Sequence, residues 1–200
     1  YGLVGSEMCI RDRDWEKVAK PIGTRGAYSL SAFYDIAAGE PIISTMTPDG
    51  KFYLFNGDNW ELVNDKTCPG DGPFDFVAFY DKTSDLYWTS AIDHTGAAYD
   101  LIMGEWVASG TPLAAEGPFR ITGFHDVIAD SYLFYVLDGE GELYAWRGDD
   151  WTKAGVRLPG QAPFDLDAFY DPQGDAYYVM GLDSAGKVYQ FTGDDWALQY

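Results

Sequence analysis

The sequence predicts an all-β protein assembled from four copies of one repeat, and three observations support this fold class. First, a motif of the type Ala-Phe-Tyr-Asp recurs at residues 32–35, 78–81, 123–126 and 168–171. Second, tryptophan recurs at positions 15, 60, 106, 151 and 196, so successive copies are 45 or 46 residues apart. Third, no stretch of 10 or more residues resembles an amphipathic helix. A fixed period of this length is typical of a repeat architecture.

The first two segments of each repeat are predicted to be strands. The first segment is led by an aromatic residue and alternates between apolar and polar positions, which is the period of two expected of a strand. It covers residues 28–35, 74–81, 119–126 and 164–171. The second segment is rich in β-branched and aromatic residues, which suit a pleated and largely buried strand. It covers residues 41–45, 86–91, 132–137 and 176–182.

The second half of each repeat is predicted to contain two tight turns and two further strands. A glycine ends the first turn, where a positive φ is accessible without a Cβ clash. These glycines are Gly50, Gly96, Gly141 and Gly186. The third strand is predicted at residues 52–55, 98–101, 143–146 and 188–191. A second turn of the Gly-Asp type, or Gly-Glu in the second repeat, then leads into a short fourth strand that starts near the repeated tryptophan.

Four short strands per repeat, joined by three tight turns and one longer loop, are typical of a β-propeller blade. Radial closure also hides strand edges that a flat meander would expose. We therefore predict a β-propeller of four-stranded antiparallel blades, with four blades in this chain. The tryptophan-bearing end of the repeat occurs five times and the rest of the repeat only four times. A truncated five-bladed ring is therefore the alternative.

The domain organisation follows from where the repeat begins. Residues 1–13 match no part of it, and they resemble the translated adapter sequence found at the ends of metagenomic assemblies. We predict that they are non-native, in which case the true N-terminus and any signal peptide are missing. Residues 14–200 are predicted to form one propeller domain, with repeats at about 14–60, 61–106, 107–151 and 152–196.

Composition and charge restrict the partners of the chain. Hydrophobic residues make up 46% of it and aromatic residues 17%, enough for a core of Phe, Tyr and Trp. The net charge of -19 disfavours nucleic acids and anionic membranes, because both would repel the protein. No apolar run is long enough to span a membrane as a helix. The two cysteines imply no disulfide framework. We expect a secreted or cell-surface protein.

Two known families carry similar motifs over residues 14–200. Residues 158–169 together with 186–196 (Gly-Lys-Val-Tyr-Gln-Phe-Thr-Gly-Asp-Asp-Trp) resemble the hemopexin repeat, although this chain has an additional strand around residues 177–181. Residues 15–23, the aromatic run before Asp35 and the period are similar to the blade of tachylectin-type lectins. Both resemblances imply a propeller with a binding role rather than a catalytic one.

The candidate ligand site is predicted on the face that carries the inter-repeat loops and the turns at Gly50, Gly96, Gly141 and Gly186, which we call the loop face. An aspartate lies three residues before the turn glycine in three repeats, and polar loop residues are expected close by. These candidates are Asp93, Asp138, Asp183, Asn64, Arg120 and Gln161. Such side chains can bind sugar hydroxyls. The alternative is that the aspartates only stabilise their turns.

The candidate metal site is predicted on the opposite face. An aspartate ends the first strand of every repeat, so four carboxylates are expected around the central channel: Asp35, Asp81, Asp126 and Asp171. Carboxylate oxygens are ligands that Ca²⁺ prefers. The alternative is again that each aspartate binds backbone amides of its own turn. Calcium is therefore the one cofactor that the sequence suggests.

The recurrence of residues in every repeat favours structure or multivalent binding over catalysis. The repeated tryptophans are predicted to pack between blades, and Trp88 and Trp146 to lie in the core. The sequence contains no Gly-x-Ser-x-Gly motif, no His-Glu-x-x-His motif and no phosphate-binding loop. We therefore predict a non-enzymatic module that recognises carbohydrate through equivalent sites on the loop face. The alternatives are a structural or protein-binding propeller, which would self-assemble through an open blade edge, and, less favoured, a glycan hydrolase.

Overall fold

The computed structural model describes residues 20–35, 37–63, 65–81, 84–126, 131–171 and 176–199. The predicted non-native segment, residues 1–13, and the tail of a repeat at Trp15 lie outside the described residues, as does Asn64. Sixteen strands are present in the described part. They form four separate four-stranded sheets, each of consecutive strands. The predicted all-β fold with four antiparallel four-stranded propeller blades is confirmed.

The strand bounds follow the repeat. Blade 1 contains β1 Ser29–Asp35, β2 Glu40–Met46, β3 Phe52–Phe55 and β4 Trp60–Leu62. Blade 2 contains β5 Asp75–Asp81, β6 Leu86–Ile92, β7 Ala98–Ile102 and β8 Glu105–Ser109. Blade 3 contains β9 Arg120–Asp126, β10 Ser131–Leu137, β11 Leu143–Trp146 and β12 Trp151–Lys153. Blade 4 contains β13 Asp165–Asp171, β14 Ala176–Leu182, β15 Val188–Phe191 and β16 Trp196–Leu198.

The first strand of each blade is the innermost one, as predicted. β5 contacts β1 on one side and β9 on the other, and β9 contacts β13. No contact joins β13 to β1. The described blades therefore form an arc around the central axis, in which the outer faces of blades 1 and 4 do not meet.

The core lies between neighbouring blades rather than within one sheet. One cluster joins blades 1 and 2 through residues such as Met46, Phe52 and Phe76. Two further clusters join blades 2 and 3, and blades 3 and 4. The repeated tryptophans Trp106, Trp151 and Trp196 belong to these three clusters, so the prediction that they pack between blades is confirmed for them. Burial of aromatic surface between blades is what holds the arc together.

The predicted turn glycines adopt the expected backbone. Gly50, Gly96, Gly141 and Gly186 have φ values of 77°, 83°, 89° and 79°. A side chain at Gly50 or Gly96 would also meet the backbone of the following loop, because an added Cβ would lie 2.8 Å from the Cys68 carbonyl oxygen or 2.5 Å from that of Leu113. Among the described residues, no helix is long and apolar enough to cross a membrane.

Candidate functional site

The three loop-face aspartates are buried and serve their turns. Oδ1 of Asp138 accepts hydrogen bonds from the amides of Glu140 and Glu142, both at 2.9 Å. Oδ1 of Asp183 likewise accepts hydrogen bonds from the amides of Ala185 and Lys187, both at 2.9 Å. Asp93 accepts from the amides of Thr95 and Ala97. In blade 1, the Thr47 hydroxyl takes this role and accepts from the Lys51 amide at 3.0 Å.

These aspartates are 3–4% exposed, so little of each carboxylate faces solvent. Oδ2 of Asp93 is also engaged, because it accepts a hydrogen bond from the Asp71 amide at 3.1 Å. The turn interpretation therefore describes their local geometry. Sugar binding at Asp93, Asp138 and Asp183 stays a prediction, and it would require the turns to rearrange.

The structure brings Asp93 together with one of the other candidates. Asp93, His94 and Arg120 line a cavity of about 250 Å³ between blades 2 and 3 on the loop face. Nε of Arg120 lies 3.3 Å from Oδ1 of Asp165 in blade 4, and its Nη1 donates to the Phe119 carbonyl at 3.1 Å. Gln161 lies apart, over blade 4, where its carbonyl accepts from the Ser184 amide at 2.9 Å.

The aspartates at the end of the innermost strands join neighbouring blades. Tyr87 of blade 2 donates its hydroxyl proton to Asp35 of blade 1. Tyr132 of blade 3 donates to Asp81 of blade 2 in the same way. Tyr177 of blade 4 donates to Asp126 of blade 3 at 2.9 Å. We call these three contacts the tyrosine–aspartate contacts.

Asp35 additionally accepts from the amides of Ala37 and Ala38, at 2.8 and 2.9 Å, as its turn interpretation predicts. The Tyr87 hydroxyl and these amides lower the pKa of Asp35, and the carboxylate in turn raises the pKa of Tyr87 to about 12. The described residues contain no group of three or more His, Cys, Asp or Glu side chains that could hold a metal ion. Calcium binding at Asp35, Asp81, Asp126 and Asp171 stays a prediction. A cation at the first three would compete with the tyrosine hydroxyls.

The central channel carries a different set of carboxylates from the one predicted. A cavity of about 350 Å³ is lined by the innermost strands of all four blades and includes Asp75, Asp165 and Asp167. Burial raises the pKa of Asp75, although the Ser29 hydroxyl at 2.5 Å and the Ile121 amide at 2.8 Å stabilise its charged form. Such a shift follows from the cost of moving a charge away from water.

A cavity with aromatic walls lies between blades 2 and 3, and we call it the aromatic cavity. Its volume is about 470 Å³. Its aromatic lining comes from both blades: Trp88, Tyr132, Phe134, Trp146 and Trp151. Ser90, Asp100, Ser109 and Ser131 supply its polar side chains. Ligand sites are typically concave, mostly apolar and furnished with a few polar groups, so this cavity has the composition of a binding site.

The aromatic rings of the cavity are held by one another. Trp88 stacks on Tyr132, with 4.6 Å between the ring centroids and 29° between the planes. Trp146 meets Trp151 edge to face, with 5.2 Å between the centroids. Gly110 allows Trp146 its position, because an added Cβ at Gly110 would lie 2.3 Å from the edge of that indole. The walls therefore depend on the loop between the two blades as well as on the strands.

A short hydrogen-bond chain orients the one carboxylate in the lining. Nε1 of Trp88 donates to the Ser90 hydroxyl at 2.8 Å, and that hydroxyl donates to Oδ1 of Asp100 at 2.5 Å. Oδ2 of Asp100 accepts no hydrogen bond from the described residues. Asp100 therefore keeps an acceptor oxygen available in a lining that is otherwise aromatic or hydroxylic.

The sequence analysis missed this cavity, since it predicted that Trp88 and Trp146 lie in the core. Both are half-buried and pack against the apolar cluster between blades 2 and 3, as predicted, but they also line the cavity. A signal was present in the repeat. By strand register, the positions in the other blades that correspond to Trp88 are Ile42, Leu133 and Tyr178. The positions that correspond to Asp100 are Leu54, Ala145 and Gln190. These departures from the repeat distinguish the cavity, whose lining also includes the recurrent Tyr132 and Trp151.

The equivalent position between blades 3 and 4 holds a cavity of about 330 Å³ with a different lining. Leu133 and Phe191 occupy the positions that correspond to Trp88 and Trp146. Tyr135 occupies the position that corresponds to Ser90. Ala145 stands where Asp100 stands in blade 2. The two cavities therefore share a position in the fold but not a chemistry.

Comparisons with known proteins identify the fold alone. No protein-family model matches the sequence, and no curated protein matches it significantly. The crystal structure of AofleA from Arthrobotrys oligospora is similar, with a TM-score of 0.54 and 15% sequence identity. A variant of AofleA in which three arginines are replaced by alanine gives a TM-score of 0.54 and 17% identity. The similarity covers 85% of this chain but 55% of AofleA, so this chain spans about half of its length. The resemblances to hemopexin and tachylectin repeats stay predictions.

Proposed function

We propose that this protein is a non-enzymatic carbohydrate-binding module whose site is the aromatic cavity between blades 2 and 3. The observation that carries the proposal is the joint presence of four Trp or Tyr rings and one accessible carboxylate oxygen in a cavity of about 470 Å³. A sugar presents C–H groups on one side and hydroxyls at its edge. Aromatic faces suit the first, and Asp100 with the serine hydroxyls suits the second.

The proposal moves the site away from the loop-face aspartates and reduces the number of equivalent sites. The loop-face aspartates are 3–4% exposed and accept hydrogen bonds from turn amides, whereas Asp100 is half-buried and lines the cavity with Oδ2 not hydrogen-bonded to a described residue. A multivalent propeller would repeat its lining in every blade pair, but the lining of the cavity between blades 3 and 4 contains neither a tryptophan nor an aspartate. A carbohydrate-binding function is consistent with the secreted or cell-surface location expected from the sequence, because glycans are abundant there.

A binding role is favoured over glycan hydrolysis by the number of acids. Hydrolysis of a glycosidic bond ordinarily uses two carboxyl groups that flank the bond. The lining of the aromatic cavity contains only Asp100. The proposed site can therefore hold a sugar and orient it, but it does not offer the acid and the base of this mechanism.

A glycan array followed by isothermal titration calorimetry tests the proposal. We expect the chain to bind a defined set of glycans, and Trp88→Ala and Trp146→Ala to weaken that binding at least tenfold. Trp60→Ala is the matched control, since it removes a half-buried indole from blade 1, away from the cavity. Absence of binding to any glycan, or equal binding by all three variants, would contradict the proposal.

The second candidate function is self-assembly, and a specific observation favours it. Leu30 of blade 1 is 65% exposed, whereas its counterparts Phe76, Ile121 and Leu166 are 3%, 5% and 8% exposed. On the other side of the arc, Leu182 is 40% exposed, whereas Met46, Ile92 and Leu137 are at most 1% exposed. The outer faces of blades 1 and 4 therefore carry side chains of the type that other blades bury.

Light scattering over a range of protein concentrations tests this candidate. Self-assembly through these faces predicts a mass that rises with concentration and that Leu30→Asp returns to the monomer. Leu62→Asp is the control, because Leu62 is also exposed but lies on the outer strand of blade 1. A monomer at every concentration would exclude self-assembly.

A further inference from the structure

We infer that the aromatic cavity selects sugars that carry a free amino group, and therefore a positive charge, over neutral and acidic sugars. This inference rests on the proposed function, because it specifies the ligand class of the same site. It depends on two properties of the lining, a single carboxylate that no described lysine or arginine pairs with and the presence of aromatic rings, and on the charge of the whole chain.

The first property is the charge. Asp100 is the one residue of the lining with a charged side chain at neutral pH. Only Oδ1 is used by a described residue, the Ser90 hydroxyl at 2.5 Å. No described lysine or arginine forms a salt bridge with Asp100. Water screens the charge of a carboxylate among aromatic rings less than that of a carboxylate at the surface, so it attracts an ammonium group more strongly.

The second property is the aromatic wall. Trp88, Tyr132, Trp146 and Trp151 provide π faces from two blades. A cation within about 6 Å of such a face is attracted by the ring quadrupole, most strongly by that of Trp. The ammonium group of an amino sugar would meet both the rings and the Asp100 carboxylate. An N-acetylated or hydroxylated sugar of the same size would gain neither of these charge-dependent contributions.

The charge of the whole chain acts in the same direction. A net charge of -19 raises the local concentration of cationic ligands and repels uronic or sialic acids. The aspartate itself is specific to blade 2, because the other blades have uncharged residues at the position of Asp100. Leu54, Ala145 and Gln190 stand where Asp100 stands in blade 2. The inference therefore predicts one amino-sugar site per chain.

The experiment compares two tetrasaccharides that differ only in acetylation, the glucosamine tetramer and the N-acetylglucosamine tetramer. Calorimetry is carried out at ~pH 6, where a sugar amine is protonated. We expect the glucosamine tetramer to bind at least tenfold more tightly, with one site per chain. Its affinity should fall as salt is raised, since the attraction is electrostatic. Asp100→Asn should remove the preference, whereas Trp60→Ala should keep it.

Two different failures are distinguishable. Equal affinity for the two tetramers, or tighter binding of the acetylated one, would overturn the inference and leave the proposed function standing. The same result follows if Asp100→Asn retains the preference. Absence of binding to both tetramers and to every glycan on the array would overturn the proposed function, and the inference with it.

Discussion

The phenolic oxygen of Tyr177 in blade 4 lies 2.9 Å from Oδ1 of Asp126 in blade 3, and the tyrosine donates the hydrogen bond. The same contact joins blades 1 and 2 through Asp35 and Tyr87, and blades 2 and 3 through Asp81 and Tyr132. A polar contact thus repeats at each of the three described blade interfaces, next to the apolar clusters. It links the end of one innermost strand to the second strand of the following blade.

Removal of one such hydroxyl tests the contribution of these contacts to stability. We expect Tyr177→Phe to lower the free energy of unfolding by about 1–2 kcal/mol, because a hydrogen bond to a charged acceptor is lost. Urea denaturation followed by tryptophan fluorescence measures the change. Tyr178→Phe is the control on the same strand, since the Tyr178 ring packs on Phe169. Equal effects of the two substitutions would contradict a specific role for the Tyr177 hydroxyl.

The turn aspartates provide a second prediction. Asp138→Ala removes a buried carboxylate and leaves the amides of Glu140 and Glu142 without their acceptor. We expect a loss of about 1–3 kcal/mol of unfolding free energy, since two hydrogen bonds of about 0.5–1.5 kcal/mol each are lost. Thermal denaturation measures it, with Asp149→Ala in an exposed turn as the control. A loss of glycan binding without a loss of stability would instead support a loop-face sugar site.

Gly110 allows a test that connects the fold to the aromatic cavity. Its φ is 67°, and an added Cβ would lie 2.3 Å from the Trp146 ring. We expect Gly110→Ala to cost about 1 kcal/mol of backbone strain and, in addition, to displace Trp146. Gly57→Ala is the matched control, because Gly57 has a φ of 97° and nothing within 4 Å of the added atom. Only Gly110→Ala should change the affinity for glycans, as measured by calorimetry. Equal affinities of the two variants would mean that Trp146 does not form part of the site.

The buried carboxyl group of Asp75 predicts a pH dependence of stability. Its pKa is raised in the folded protein, chiefly by burial. Below about pH 4 the group is protonated in both folded and unfolded chains. As pH rises, the unfolded chain releases this proton first, so stability is lost until pH passes the folded pKa.

Asp75→Asn removes this contribution. We expect the stability of the variant relative to the native protein to increase between about pH 4 and pH 7, as measured by urea denaturation at both values. Asp58→Asn, in an exposed turn, is the control. A relative stability of Asp75→Asn that is independent of pH would show that Asp75 titrates normally.

Much of the fold was predictable because local sequence patterns indicate its strands and turns. The strands Phe52–Phe55, Leu143–Trp146 and Val188–Phe191 were predicted with the bounds that the structure has. The period, the aromatic alternation and the turn glycines act over a few residues, so they can be recognised without knowing what lies across the interface. The candidate site was harder to predict, because the repeat drew attention to recurrent residues such as Asp138. Two residues that distinguish the aromatic cavity, Trp88 and Asp100, instead depart from the repeat.

The sequence by itself determined the class of fold, the number of blades and the order of strands within each blade. The tertiary structure decided which side chains meet across the blade interfaces. Tyr177 and Asp126 are 51 residues apart in the chain, and no local pattern pairs them. No local pattern pairs Arg120 with Asp165 either, although they form a salt bridge. Such contacts depend on how one blade is seated against the next, and that seating is set by the packing of the aromatic clusters between them.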